Sequence, residues 1–410
     1  MGRPHRPPDH VRKNSSGTLK HMVMNDFQAR TAVLQQHLTD EGIEIGLITD
    51  EDSIYYYSGY HGYLYMDFGR PTVLVVPKSG ECAIITPTME TEMAGRMSWV
   101  GDVQHWQDGM DEEWRGPLGA SLSRAAGGRI GIEPHGMPPV VRAFLDRSVD
   151  AARLADITPL VAGMRMIKGP EEIQLARHAG HVAEAMMEAG RQAIGDGVPE
   201  FEVAIATMTA GTRKAAEILE AHYDDPLMSP NAHFLQTMAS GPETTMPHHR
   251  ASTKRLEKGD PVFLCFCGMT NFRRFKLGFD RMFWVGEVGD PRQEEMYAVA
   301  VESQKAALEA IRPGVAAEDV HRAYADVIQA AGYDYPFRCG RATGFSFLEK
   351  PQLVFGDRTV LRPGMIFAVD GSVNDPGVFR AQVGDSVVVT DDGVELLTNY
   401  TKELSQVIVS

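Results

Sequence analysis

Apolar and polar positions along the chain fall into two regimes. Up to about residue 160, short apolar runs alternate with helical segments. Ala32, Val33, Leu34 and Leu38 share one side of a segment from Asp26 to His37, which predicts a helix capped by Asp26. Residues 44–48 read as a buried strand, and another element starts at Ser53–Tyr57. Residues 72–76 and 82–86 form two β-rich runs across Pro77-Lys78-Ser79-Gly80-Glu81, a hairpin signal. A strand at 129–133, a helix at 138–145 and an edge segment at 156–158 complete a small α/β pattern.

The second regime groups its helices apart from its strands. Pro170-Glu171-Glu172 opens a long amphipathic helix, since proline suits the first turn and acids suit the positive end of the dipole. A second helix covers 200–219. Strands are expected at 261–267 and 281–285, helices at 294–311 and 317–331, and further strands at 365–369 and 385–390. This is an α+β arrangement.

Composition narrows the class. The chain has 410 residues, enough for two domains and a sizeable core. No apolar run reaches a membrane span, so a soluble, cytoplasmic protein is expected. A formal net charge of -15 argues against nucleic-acid or anionic-membrane partners. The 4 cysteines are scattered, which fits a reducing compartment. Residues 1–21 are rich in Arg, Pro and Ser and read as a disordered expression leader, with no apolar core for a signal peptide.

Candidate chemistry centres on Ser240-Gly241-Pro242 through Pro247-His248-His249-Arg250. Gly-Pro marks a turn, and Pro247 stiffens the backbone before two histidines. An imidazole titrates near neutrality, so one held on a rigid loop suits proton transfer. A histidine pair without chemistry remains the other local reading. Cys265 and Cys267 alternate onto one strand face, but no second cysteine pair or nearby histidine completes a tetrahedral metal set.

Four segments then carry a resemblance: Phe68-Gly69-Arg70-Pro71; Met164 to Lys168 with Glu171-Glu172 and Arg177-His178; Ser240-Gly241 through His248 to Lys258-Gly259-Asp260; and Leu361-Arg362-Pro363-Gly364-Met365. In them the chain resembles the creatinase branch of the pita-bread family that also contains prolidase and aminopeptidase P. The resemblance implies a smaller N-terminal α/β domain over 22–160 and a C-terminal pita-bread domain over 161–410. It also implies a homodimer with an active site shared between subunits. Peptidases of this family hold two metal ions on five side chains. The aligned positions here are Phe266, Gly278, Arg341, Asp370 and Gly384, which leave one carboxylate, so neither metal nor other cofactor is expected.

By the same resemblance, His248 is the expected general base and acid. Asp280 and Asp370 align with the carboxylates that grip a guanidinium, each shortened by about one methylene. Arg70 aligns with an arginine that binds the substrate carboxylate from the neighbouring subunit, and Phe68 would form an apolar wall. Arg341 replaces a histidine. Arg273, Arg274 and Lys276 would either favour a more anionic substrate or form a solvated face. The expected function is metal-independent hydrolysis of a non-peptide C–N bond in a small zwitterionic guanidino acid, a creatinase-like amidinohydrolase of linear amidines. Alternatives are hydrolysis of a cyclic amidine such as ectoine, or a non-catalytic binding module.

Overall fold

A computed structural model describes residues 16–62, 70–110, 112–125, 127–231, 237–266 and 270–410, without the side chains of 16–25, 270 and 271. Phe68 and Cys267 lie outside the described residues. The N-terminal domain runs α1 (Ser16–Asp40), β1 (Ile43–Ile48), α2 (Glu51–Ser58), β2 (Val73–Pro77), β3 (Ala83–Pro87), α3 (Thr91–Met97), β4 (Asp102–Trp106), α4 (Arg115–Arg124), β5 (Arg129–Ile132), α5 (Pro139–Ser148), β6 (Leu154–Asp156) and α6 (Thr158–Met166). Among the described residues its sheet has the order β4-β3-β2-β1-β5-β6. α1 begins inside the stretch read as a leader.

Both faces of this sheet are covered, which explains its near-continuous apolar strands. Along β2, Val73 and Val75 enter one core with Trp106, Trp114 and Leu145. Leu74 and Val76 enter the other core, beneath α1 and α2, with Leu34 and Tyr57. Asp50 caps α2 by accepting from the Ser53 amide at 2.9 Å, and Gly59 ends it in the left-handed region.

The C-terminal domain opens with α7 (Pro170–Ala193) and α8 (Glu200–His222), packed together. At the start of α7, the Glu172 carboxylate accepts from the Gly169 amide at 2.9 Å. The remaining elements are β7 (Thr237–Ser240), β8 (Pro261–Cys265), β9 (Thr270–Phe272), β10 (Phe275–Leu277), β11 (Asp280–Val285), α9 (Pro291–Ala310), α10 (Ala317–Ala330), β12 (Arg338–Ala342), β13 (Glu349–Val354), β14 (Ile366–Asp375), β15 (Phe379–Val389), β16 (Val394–Leu396), α11 (Leu404–Val407) and β17 (Ile408–Val409). The large antiparallel sheet follows the order β13-β12-β14-β15-β11-β8-β7. α9 lies on β14 and β15 so closely that a Cβ on Gly371 would stand 2.0 Å from the Ala300 carbonyl oxygen.

The two-part α/β and pita-bread architecture expected from the sequence is the one the chain adopts. Three features differ. The strand expected to reach Cys267 ends at Cys265. β12 and β13 escape the sequence reading, because their polar stretches, Arg338-Cys339-Gly340-Arg341 and Glu349-Lys350-Pro351-Gln352, lack apolar alternation. The basic run at 273–276 is neither a solvated face nor part of the cleft described below. Arg273 and Arg274 form the left-handed two-residue turn between β9 and β10, and both side chains are largely buried. Arg273 pairs with Asp225 at 2.8 Å and lies over the Tyr223 ring. Arg274 pairs with Glu51 and Asp52 of α2, and Lys276 reaches Asp52 at 2.6 Å. Arg274 and Lys276 thereby join the two domains, while Arg273 is held within the second. Burial alone would raise the Asp52 carboxyl, but Lys276 and Arg274 hold it below its ordinary value.

Candidate active site

Strand register assembles the site. Gly384 of β15 stands directly opposite Asp280 of β11 on one side and Asp370 of β14 on the other. Opposed residues of an antiparallel sheet project to the same face, so both carboxylates converge over the glycine. A Cβ at Gly384 would lie 2.7 Å from both Asp280 oxygens and from Asp370 Oδ1. The missing side chain is what lets two acids occupy this point.

Arg341 of β12 supplies the opposing charge. Its Nη1 lies 3.3 Å from Asp370 Oδ2, its guanidinium caps the Phe347 ring at 4.3 Å, and its side chain is 3 % exposed. A Cβ at Gly278 would meet its Nη2 at 3.5 Å, so the guanidinium lies beside the space over that glycine.

Above these groups opens a cleft of about 800 Å³. His248, Phe263, Arg341, Phe347, Asp370 and Gln382 are among its lining residues. Asp370 remains 15 % exposed there, whereas Asp280 is fully buried behind the wall. Gln382 joins the two levels, its Nε2 donating to Asp280 Oδ2 at 3.0 Å. Asp280 is linked to the cleft wall through Gln382. Gln382 itself escaped the sequence reading. The signal for it was alternation, since 380, 382 and 384 share one face of β15.

The loop that carries His248 is braced from below. Ser240 donates to Glu200 Oε1 at 2.7 Å, and Lys254 binds both the Ser240 carbonyl and Glu243. The His249 ring sits 2.8 Å from the Met238 carbonyl oxygen, which ties it to β7. His248 is exposed and faces the cleft. Arg70 lies in the N-terminal domain, paired with Asp108 at 2.5 Å.

The family's metal chemistry can be tested against these side chains. Two of the five aligned positions are glycines, one is phenylalanine and one is the Arg341 cation. Among the described residues no cluster of three or more His, Cys, Asp or Glu side chains could hold a metal ion. The donor set does not fit a dinuclear centre.

Comparison with known proteins gives the family context. Residues 174–391 match the model described as Metallopeptidase family M24, and residues 30–167 match Creatinase/Prolidase N-terminal domain. An agropine synthesis cyclase of Rhizobium rhizogenes is 29% identical over 391 residues, covering 91% of this chain and 96% of its own. A probable dipeptidase PepE of Mycobacterium bovis is 32% identical, covering 84% and 87%. The X-Pro aminopeptidase structure from Thermotoga maritima superposes with a TM-score of 0.79 at 22% identity, over 92% of this chain and 99% of its own. These findings overturn the expected creatinase-like amidinohydrolase of guanidino acids: the matched family is one of metallopeptidases, whose metal donors the five positions above do not supply. The matched relatives are named for peptide substrates or for a cyclase. Among the described residues no helix is long and apolar enough to cross a membrane.

Proposed function

Since the chain belongs to metallopeptidase family M24 and carries a creatinase/prolidase-type N-terminal domain, we propose that its cleft is the active site of a hydrolase for a small amino-acid-derived substrate, cut at an acyl C–N bond. The convergence of Asp280 and Asp370 over Gly384, beneath a cleft of dipeptide-compatible size, carries this reading. The reaction class comes from relatives named dipeptidase and X-Pro aminopeptidase.

In this reading the acidic floor receives the substrate's ammonium group through charge-assisted hydrogen bonds at Asp370. Asp280 acts from below by orienting Gln382. Arg341 sets a positive charge 3.3 Å from Asp370 Oδ2, beside the acidic floor. His248 takes the proton of the attacking water at its imidazole and returns it to the leaving nitrogen. No step is assigned to a metal, because the donor set does not fit one. A homodimer that shares Arg70 across subunits would first have to open the Arg70–Asp108 pair.

A second reading rests on the near full-length likeness to the agropine synthesis cyclase. There a nucleophile within the same molecule would replace water at the acyl carbon, and the product would be a ring.

One experiment addresses both. The full chain is incubated with Xaa-Pro and other dipeptides, N-acyl amino acids and open-chain hydroxy or amino acids able to close a ring. Mass spectrometry follows the products, with His248→Ala and Asp370→Asn alongside. Gain of one water by a panel member supports the hydrolase, and loss of one water supports the cyclase. Equal turnover by wild type and Asp370→Asn would remove the proposed floor from the reaction, and a silent wild type would overturn both readings.

A further inference from the structure

Among the described residues three arginines line the cleft, Arg338, Arg341 and Arg380, and the proposed chemistry leaves Arg380 unused. Arg380 lies on the same face of β15 as Gln382 and Gly384, opposite Asn374. It lines the cleft, with its guanidinium over the Phe263 ring at 5.5 Å. Its Nη2 donates to Gln382 Oε1, and Gln382 in turn donates to Asp280. Arg380 is therefore oriented by a ring face and by a hydrogen-bond chain that ends on a buried acid.

Arg341 has Asp370 beside it at 3.3 Å. Among the described residues no Asp or Glu oxygen lies within 4.0 Å of the Arg380 guanidinium. An arginine has five N–H donors in a planar fork, and Gln382 occupies one of them. The others remain for a ligand in the cleft. A cation that is stacked, oriented and half-exposed at a cleft wall matches a planar anion.

We propose that Arg380 is the specificity residue that anchors the carboxylate of the substrate, while Asp370 takes its ammonium end. This deepens the hydrolase reading and rests on it for the identity of the ligand. Asp370 pairs with Gly384, four residues from Arg380, so the two ends are set by roughly 13 Å of strand less the reach of the arginine. The cleft then measures the distance between the two charged ends of a zwitterion. Asp334 and Asp375 also line it. With acids lining the same cleft as Arg380, a monoanion is favoured over a phosphate dianion.

The test compares wild type, Arg380→Gln and Arg380→Lys, each checked for an unchanged Tm. With a turned-over panel member and its carboxamide counterpart, wild type favours the carboxylate form by about 10- to 100-fold in kcat/KM, expressed in KM. Arg380→Gln abolishes the preference, and Arg380→Lys restores part of it. A preference that survives in Arg380→Gln overturns the assignment. A second readout needs no turnover. Trifluoroacetate is titrated into wild type and Arg380→Gln and followed by fluorine NMR. A saturable site in wild type that disappears in the variant supports the anchor, even if every panel substrate is silent and the hydrolase reading has failed. Identical titrations overturn it, as does displacement of the probe by inorganic phosphate in preference to acetate.

Discussion

Arg341 and Asp370 face one another from adjacent strands, with Nη1 3.3 Å from Oδ2, in a pocket where a second carboxylate, Asp280, lies just beyond Gly384. Removing the cation leaves two acids close together in a poorly hydrated place. Arg341→Met should lower stability by about 3–5 kcal/mol, the range for breaking a buried pair from one side. The double variant Arg341→Met/Asp370→Asn should recover part of that loss. Urea unfolding of the four proteins in the cycle measures the coupling. Additive losses would show that the pair does not act as a unit.

Gly384→Ala should disturb the floor directly. Its new Cβ would meet three carboxylate oxygens at 2.7 Å, so Asp280 and Asp370 have to move apart. The expected cost is about 1–3 kcal/mol of stability, as for other overpacked sites. Turnover of any substrate found should fall with it. A variant as stable and as active as the parent would show that this point is not crowded.

Glu349 ties the end of the first domain to the edge of the second. It binds Arg165 at 2.8 Å and Lys168 at 2.7 Å, all three side chains nearly sealed from solvent. Burial would raise its carboxyl, yet Lys168 and Arg165 outweigh that and hold it at about 2. A lowered folded pKa means the contribution is full above the unfolded value and is lost as pH falls toward 2. Glu349→Gln should therefore cost about 3–5 kcal/mol at pH 7. The loss should shrink in strongly acidic buffer, which thermal melts across pH can follow.

Glu133 behaves in the opposite sense. Burial and the Asp50 charge push its carboxyl up to about 7, against the partial help of Ser53 Oγ and Arg165, with Asp156 adding to the rise. A raised folded pKa means the native state holds its proton longer than the unfolded chain. Stability should fall as pH climbs from the ordinary carboxyl range to about 7, by roughly 1–3 kcal/mol. Glu133→Gln keeps an acceptor for Ser53 and removes the charge. It should raise Tm at pH 8 and have little effect at pH 4.5. A higher Tm at both pH values would place the gain outside titration.

Much of the fold was legible because its signals are local. The Pro170-Glu171-Glu172 helix start and the apolar strands of the first domain each follow from a few neighbouring residues, whereas the expected Asp26 cap fails because α1 runs through it from Ser16. So was the candidate histidine, because Gly-Pro and Pro247 mark a stiff loop whatever packs around it. The poor donor set was readable too, since a glycine or phenylalanine cannot become a ligand through folding.

What the chain could not disclose by itself depends on register and on partners distant in sequence. Asp280 lies behind Gln382 because β11 meets β15 in one particular alignment, and sliding it by a residue would turn every side chain to the other face. Arg70 is occupied by an aspartate 38 residues away. Arg273, Arg274 and Lys276 look like one basic run, yet Asp225 holds Arg273 within its own domain while Glu51 and Asp52 draw Arg274 and Lys276 to the other. Ion pairs of this kind are chosen by tertiary geometry alone, because at the sequence level every Asp and Glu is an equally available partner. The same geometry places Arg380 at the cleft wall with no acid paired to it among the described residues.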